Sequence, residues 1–118
     1  MNQVILSGRL TADPQIKTLG DKGTLMAKYT LAVRRNAKHG GDNVSFIRCT
    51  CWGARAAFAQ SWMTKGMRVE VSGELVINQW TDKDGNGRSS AEVLVSRQDF
   101  GESLNARVAR AEREAGLV

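Results

Sequence analysis

One internal stretch of this chain favours helix, and the segments on both sides of it alternate with the period of a strand. ARAAFAQSWMTKG, Ala54 to Gly66, is rich in helix formers, and Gly66 is placed to cap its end. Three period-two segments precede it. They run from Gln3 to Leu10, from Leu25 to Arg35, where Met26, Lys28, Thr30 and Ala32 alternate with Ala27, Tyr29, Leu31 and Val33, and through SFIRCTCWG, Ser45 to Gly53. Two more follow, from Arg68 to about Trp80 and from Ser89 to Ser96. KHGGDN, Lys38 to Asn43, and TDKDGNG, Thr81 to Gly87, carry the glycines and Asp-Gly signals of hairpin tips.

The order β-β-β-α-β-β predicts an all-β fold: a five-stranded Greek-key barrel of the OB type, with its one helix between strands three and four closing an end. A chain of 118 residues holds one such core. The domain is expected over residues 1–100, followed by a tail over 101–118 whose composition suits either a frayed end or a short docked C-terminal helix. Phe58 and Trp62, four apart on the internal helix, are expected to plug the core. Tyr29 and Phe100 are assigned to the core or its edge.

There is no long apolar run and no secretory signal, so no membrane partner is expected. Lys and Arg number 17 against 12 Asp and Glu, a net charge of +5. Residues 1–40 hold the whole surplus, in Arg9, Lys17, Lys22, Lys28, Arg34, Arg35 and Lys38 against Asp13 and Asp21, and such a basic lobe suits a polyanion. Cys49 and Cys51, one residue apart on a strand, would strain any bridge between them, and the sole histidine, His39, sits in a glycine-rich loop. They read as buried free thiols in a reducing, cytoplasmic setting. No cofactor or metal is expected.

SFIRCTCWG is the most informative stretch. Its alternation puts Phe46, Arg48, Thr50 and Trp52 on one face, with Ile47, Cys49 and Cys51 on the other. Small apolar residues suit a core, so the aromatic face would look outward. Rings can stack on unpaired bases, and an arginine between them can neutralise phosphate or stack through its own plane. The alternative is that Phe46 and Trp52 are core and the cysteine face meets a subunit neighbour.

VILSGRLTADPQIK, KYTLAVRR, SFIRCTCWG, KGMRVEVSGEL and QWTDKDGNGRSSAEVLV, in this order and spacing, closely resemble the bacterial single-stranded DNA-binding protein family over roughly residues 2–100. The resemblance implies a non-enzymatic binder that coats single-stranded DNA with little sequence preference during replication, recombination or repair. Its base-stacking positions fall on Phe46, Trp52 and Trp80, and its basic positions on Arg48 and Lys65. Arg88 and Lys83 flank Trp80, which could instead clamp its hairpin by cross-strand packing. Where the family commonly carries a further tryptophan this chain has Arg34 and Arg35, a stacking contact replaced by charge. As the two are adjacent on a strand, at most one faces any single surface.

The resemblance also implies a homo-oligomer paired through the first strand, a tetramer or the smaller dimer, although position 47 is Ile where many members have His at a subunit contact. Members usually continue into an acidic recruiting peptide, whereas this sequence stops at EREAGLV. The recruiting role is therefore not carried over, and a plasmid, phage or mobile-element version or a specialised paralogue is the expectation. An alternative function is an adaptor in a replication-restart or conjugation complex, with weak DNA binding. A nuclease would need Asp82 and Asp84 as a metal pair, without a supporting His or fixed carboxylate.

Overall fold

The computed structural model describes residues 1–35, 43–100 and 116. The hairpin tip before Asn43 and the tail expected over 101–118, Gly116 apart, lie outside the described residues. Strands β1 (Val4–Leu10), β2 (Gln15–Leu19), β3 (Thr24–Arg34) and β4 (Val44–Trp52) come first, then helix α1 (Ala54–Trp62), then β5 (Arg68–Thr81) and β6 (Gly87–Phe100). They form one sheet in the order β1-β5-β6-β4-β3-β2, with β4 and β6 parallel and the other pairs antiparallel. A second pairing, Arg9 with Ala32 and Leu10 with Leu31, joins β1 to β3 and closes the sheet. The five strands of that ring have the connectivity of an OB-fold barrel, with the helix at the expected place.

β2 is a sixth strand that the alternation did not reveal. QIKTL half-buries only Ile16 and pairs with β3 alone, so it lacks the apolar rhythm of a core strand. The last strand is longer than expected at both ends: Gly87 and Arg88 extend the outer part of the β5–β6 hairpin, which has little core beneath it, and Arg97–Phe100 pair with Val69–Ser72 beyond a register shift. Its tip is locked by Asp82, whose Oδ1 accepts the amides of Asp84 and Asn86 at 2.9 Å each, while Gly85 takes the left-handed φ of 82° that the turn needs.

The core is built from the inward faces of the ring: Leu31, Cys49, Cys51, Val69, Val71 and Val93 are almost fully buried. Tyr29 is buried with them and donates its hydroxyl to Gln98 Oε1 at 2.7 Å, while Gln98 Nε2 donates to the Arg55 carbonyl at 2.7 Å. A polar tip is thus satisfied inside an apolar setting. α1 presents Ala56 and Ala59 to the barrel, small residues that let the helix approach closely, and Met63 just past its end packs into the same core. Phe58 leans on Phe100, with ring centroids 5.4 Å apart. Trp62, expected in the core, is 55% exposed, because it falls off the buried stripe. Gly66 does not cap the helix: Met63 is the cap residue, and Gly66, at φ 86°, serves the turn that follows.

Both cysteines are free and buried. Burial pushes the Cys49 thiol up to about 12 and Cys51 to about 11, from 9.0 for an ordinary thiol, and raises the Tyr29 phenol in the same direction. A group with a raised folded-state pKa contributes its full stability below the unfolded value and loses it as pH climbs through the folded value. Urea stability should therefore hold up to about pH 9 and fall between there and about pH 12. A urea midpoint that rose over that interval would contradict the burial of these groups in neutral form.

Candidate nucleic-acid interface

Residues directly opposite each other in a ladder share a face, so the register assigns the outer surface of the barrel. Phe46, Arg48, Thr50 and Trp52 of β4 lie beside Ala32, Thr30, Lys28 and Met26 of β3. On the other flank Arg48 meets Glu92 of β6, and farther along the β5–β6 hairpin Trp80 meets Arg88. Phe46 is 68% exposed, Trp52 38% and Trp80 50%. The inward partners of this face, Cys49 and Cys51, are buried, so the reading that would bury the rings and expose the thiols is excluded. Phe46 and Trp52 are six residues apart, about 20 Å at roughly 3.3 Å per strand residue.

Thr50 departs from this surface. It shares the face but is buried, because its hydroxyl donates to Glu92 Oε2 at 3.1 Å and Asn78 Nδ2 donates to Glu92 Oε1 at 2.8 Å. The Glu92 carboxylate thereby ties together β4, β5 and β6. Between the Phe46 and Trp52 ends the surface dips into a groove of about 370 Å³, whose lining includes Gln15, Lys28, Thr30, Arg48, Asn78 and Glu92. Lys28 is exposed in this groove, and sequence reasoning passed over it; the alternation of LMAKYTLAV put it on one parity, but only the register with Thr50 brings it to the aromatic face.

The other expected residues divide. Arg34 stands opposite Val44, on the same parity as Phe46, and continues the face at its open end. Arg35 lies past the end of β3. Arg88 adjoins Trp80, but its Nε is held 2.8 Å from Asp82 Oδ2. The Asn86 amide and the Arg88 guanidinium hold the Asp82 carboxyl below the usual carboxylate range, so this arginine is already half engaged. Lys65 is off the four-strand face, in the turn after α1. Its amide donates to Asp13 Oδ1 at 2.8 Å, and Asp13 lines the far end of the groove. Asp82 and Asp84, the one imagined metal pair, are committed to the hairpin tip, Asp82 through its carboxylate and Asp84 through its amide.

This face presents flat rings separated by cationic planes, with polar side chains between them. Comparison with known proteins agrees with that chemistry. The sequence matches the Single-strand binding protein family over residues 1–101. It is 37% identical over 105 residues to a single-stranded DNA-binding protein of Clostridium perfringens, covering 89% of this chain and 69% of that one. Single-stranded DNA-binding protein 3 of Clostridium acetobutylicum is 39% identical over 101 residues, covering 85% and 70%. A single-stranded DNA-binding protein of Thermotoga maritima is 37% identical over 100 residues, covering 80% and 70%. With nearly the whole described barrel inside these matches, the chain belongs to the single-strand binding protein family.

Proposed function

We propose that the protein is a non-enzymatic binder that coats single-stranded DNA with little sequence preference during replication, recombination or repair. The observation that carries this reading is the exposure of Phe46, Trp52 and Trp80 on one outer surface with Arg48 between the first two. Every base has a π-face, so stacking on these rings tolerates any sequence. Arg48, Arg34 and Lys28 supply phosphate contacts along the same surface, Lys65 extends them beyond the groove, and Arg35 and Arg88 serve its two ends. Titrating oligo-dT into the protein should quench tryptophan fluorescence at low salt, and affinity should fall with a log–log salt slope of about −0.7 for each phosphate neutralised. Equal quenching by duplex DNA would sink the proposal.

The amino-terminal half of β1 supports an assembly. Only Arg9 and Leu10 pair with β3, which leaves the second edge of Val4–Gly8 without a neighbouring strand among the described residues, beside an Ile5 that is 73% exposed. An open apolar edge of this kind is a template for a second copy. The protein pairs through it into a dimer, and dimers assemble into a tetramer. Light scattering that returned a single-chain mass at micromolar concentration would refute this.

A further inference from the structure

The groove between the Phe46 and Trp52 ends carries a charge of the wrong sign for a surface that takes phosphate. Glu92 stands opposite Arg48 in the β4–β6 ladder, and Lys28 lines the same groove. The two cations are exposed, whereas Glu92 is half-buried and its donor Thr50 is buried, so the anion lies deeper than the cations. Among the described residues neither cation forms an ion pair with Glu92 within 4 Å. Neutral groups hold the carboxylate instead, the Thr50 hydroxyl at 3.1 Å and the Asn78 amide at 2.8 Å. These bonds fix its place and leave its charge unbalanced, with a lone pair on each oxygen still open. Asp13, at the far end of the groove, is a second carboxylate there, and its Oδ1 also takes a neutral donor, the Lys65 amide.

Single and double strands meet such a groove differently. A duplex keeps its bases stacked inside and offers a protein its phosphates first. Pressed into the groove, that backbone would bring phosphate up against Glu92, where partial exclusion of water strengthens like-charge repulsion. A single strand has bases free to turn. Its backbone can stay at the rim with Lys28 and Arg48 while a base enters the space of about 370 Å³, and the amino groups of cytosine, adenine and guanine can donate to the open lone pairs. A charge placed in this way lowers affinity for the wrong partner more than for the right one.

We infer that Glu92, with Asp13 as its lesser counterpart, is a specificity-determining residue: its carboxylate excludes phosphate from the groove and so disfavours duplex DNA relative to a single strand that turns a base inward. It rests on the DNA-binding reading above and assigns part of the selectivity of that surface to repulsion. The rings and cations attract either form of DNA, and the carboxylate penalises the form that cannot keep its backbone at the rim.

Glu92→Gln removes the charge at constant shape, and its amide can still accept from Asn78 and donate to the Thr50 hydroxyl. The test titrates the wild type and this variant with an oligo-dT of about 8 nucleotides, within the span of one barrel, and with a blunt GC-rich duplex of about 20 base pairs. The variant should bind the duplex at least about fivefold more tightly, the repulsion of two unit charges about 4 Å apart in bulk water. Its duplex salt slope should steepen by about 0.9, one further phosphate admitted. Oligo-dT affinity should move by less than about twofold, so the preference for single strands narrows. Glu70→Gln is the charge-matched control, because Glu70 is exposed on β5 between Ser7 and Asp99, outside the groove lining, and it should leave the preference as it was. If Glu92→Gln does not fold, Asp13→Asn, whose amide oxygen keeps the Lys65 contact, should narrow the preference by at least about twofold. An unchanged preference in the folded variants overturns the inference. So does equal tightening of both forms of DNA, a loss of oligo-dT affinity, or an effect of Glu70→Gln as large as that of Glu92→Gln. A wild type that binds the duplex as tightly as oligo-dT leaves no selectivity for Glu92 to enforce, and the proposed function falls with the inference.

Discussion

Replacing Trp52 and Trp80 together by alanine should lower affinity for oligo-dT by about 2–6 kcal/mol, from about 1–3 kcal/mol per stacked base. That is roughly thirtyfold to twenty-thousandfold in Kd. The two rings lie on different ladders, Trp52 at the end of β4 and Trp80 on the β5–β6 hairpin, and neither is in the core. The double variant should therefore keep its melting transition while losing affinity. Trp52 faces Met26 and is the more enclosed of the two, so a small loss of stability should follow its removal more than that of Trp80. A salt slope that stayed at the wild-type value while affinity fell would separate lost stacking from lost phosphate contacts. Full affinity in a folded double variant would remove the rings from the interface.

The largest effect on stability should come from Gly73→Ala. Gly73 sits where β5 passes a bulge in β6: Ser72 is opposite Arg97 and Gly73 opposite Val95, which leaves Ser96 as the extra residue. Ser96 is anchored at this point by its hydroxyl, which donates to the Ser72 carbonyl at 3.2 Å, and by its own carbonyl, which accepts from Arg55 Nε at 2.6 Å. A Cβ on Gly73 would be driven into the backbone oxygen of Leu94, with the Leu94 carbonyl carbon at 2.8 Å and Val95 Cα at 3.0 Å. Backbone cannot yield as a side-chain tip can, so the cost should reach about 3 kcal/mol, the upper end for overpacking. Gly87→Ala is the matched control, because an added Cβ there meets nothing within 4 Å. It should change stability by no more than about 0.5 kcal/mol. Equal urea midpoints for the two variants would mean that the bulge does not set the curvature of the barrel.

Much of the barrel was legible because its core strands obey a strict period. Cys49 and Cys51 read as core from their alternation with Phe46, Arg48 and Trp52, and both are buried. β2 escaped notice because an edge strand with a single half-buried side chain has no such rhythm. Trp62 was misjudged for a different reason. Aromatic spacing on a helix indicates a shared face, but the stripe that packs is chosen by whichever residues allow the closest approach, here Ala56 and Ala59. For the candidate site, parity along one strand was readable, and register between strands was not. The sequence could place Phe46 and Trp52 on one side of β4. It could not bring Lys28, Asn78 and Glu92 to them, nor show that Glu92 draws Thr50 out of the solvent.

Photo-cross-linking of a halogenated oligo-dU of about 8 nucleotides, short enough for a single barrel, addresses the landing surface itself. Mass mapping should find adducts on Phe46, Trp52 and Trp80, since these are the exposed rings of the outer β4–β5–β6 surface. Adducts confined to Trp62 or to peptides of β1, with those three rings unlabelled, would contradict the account.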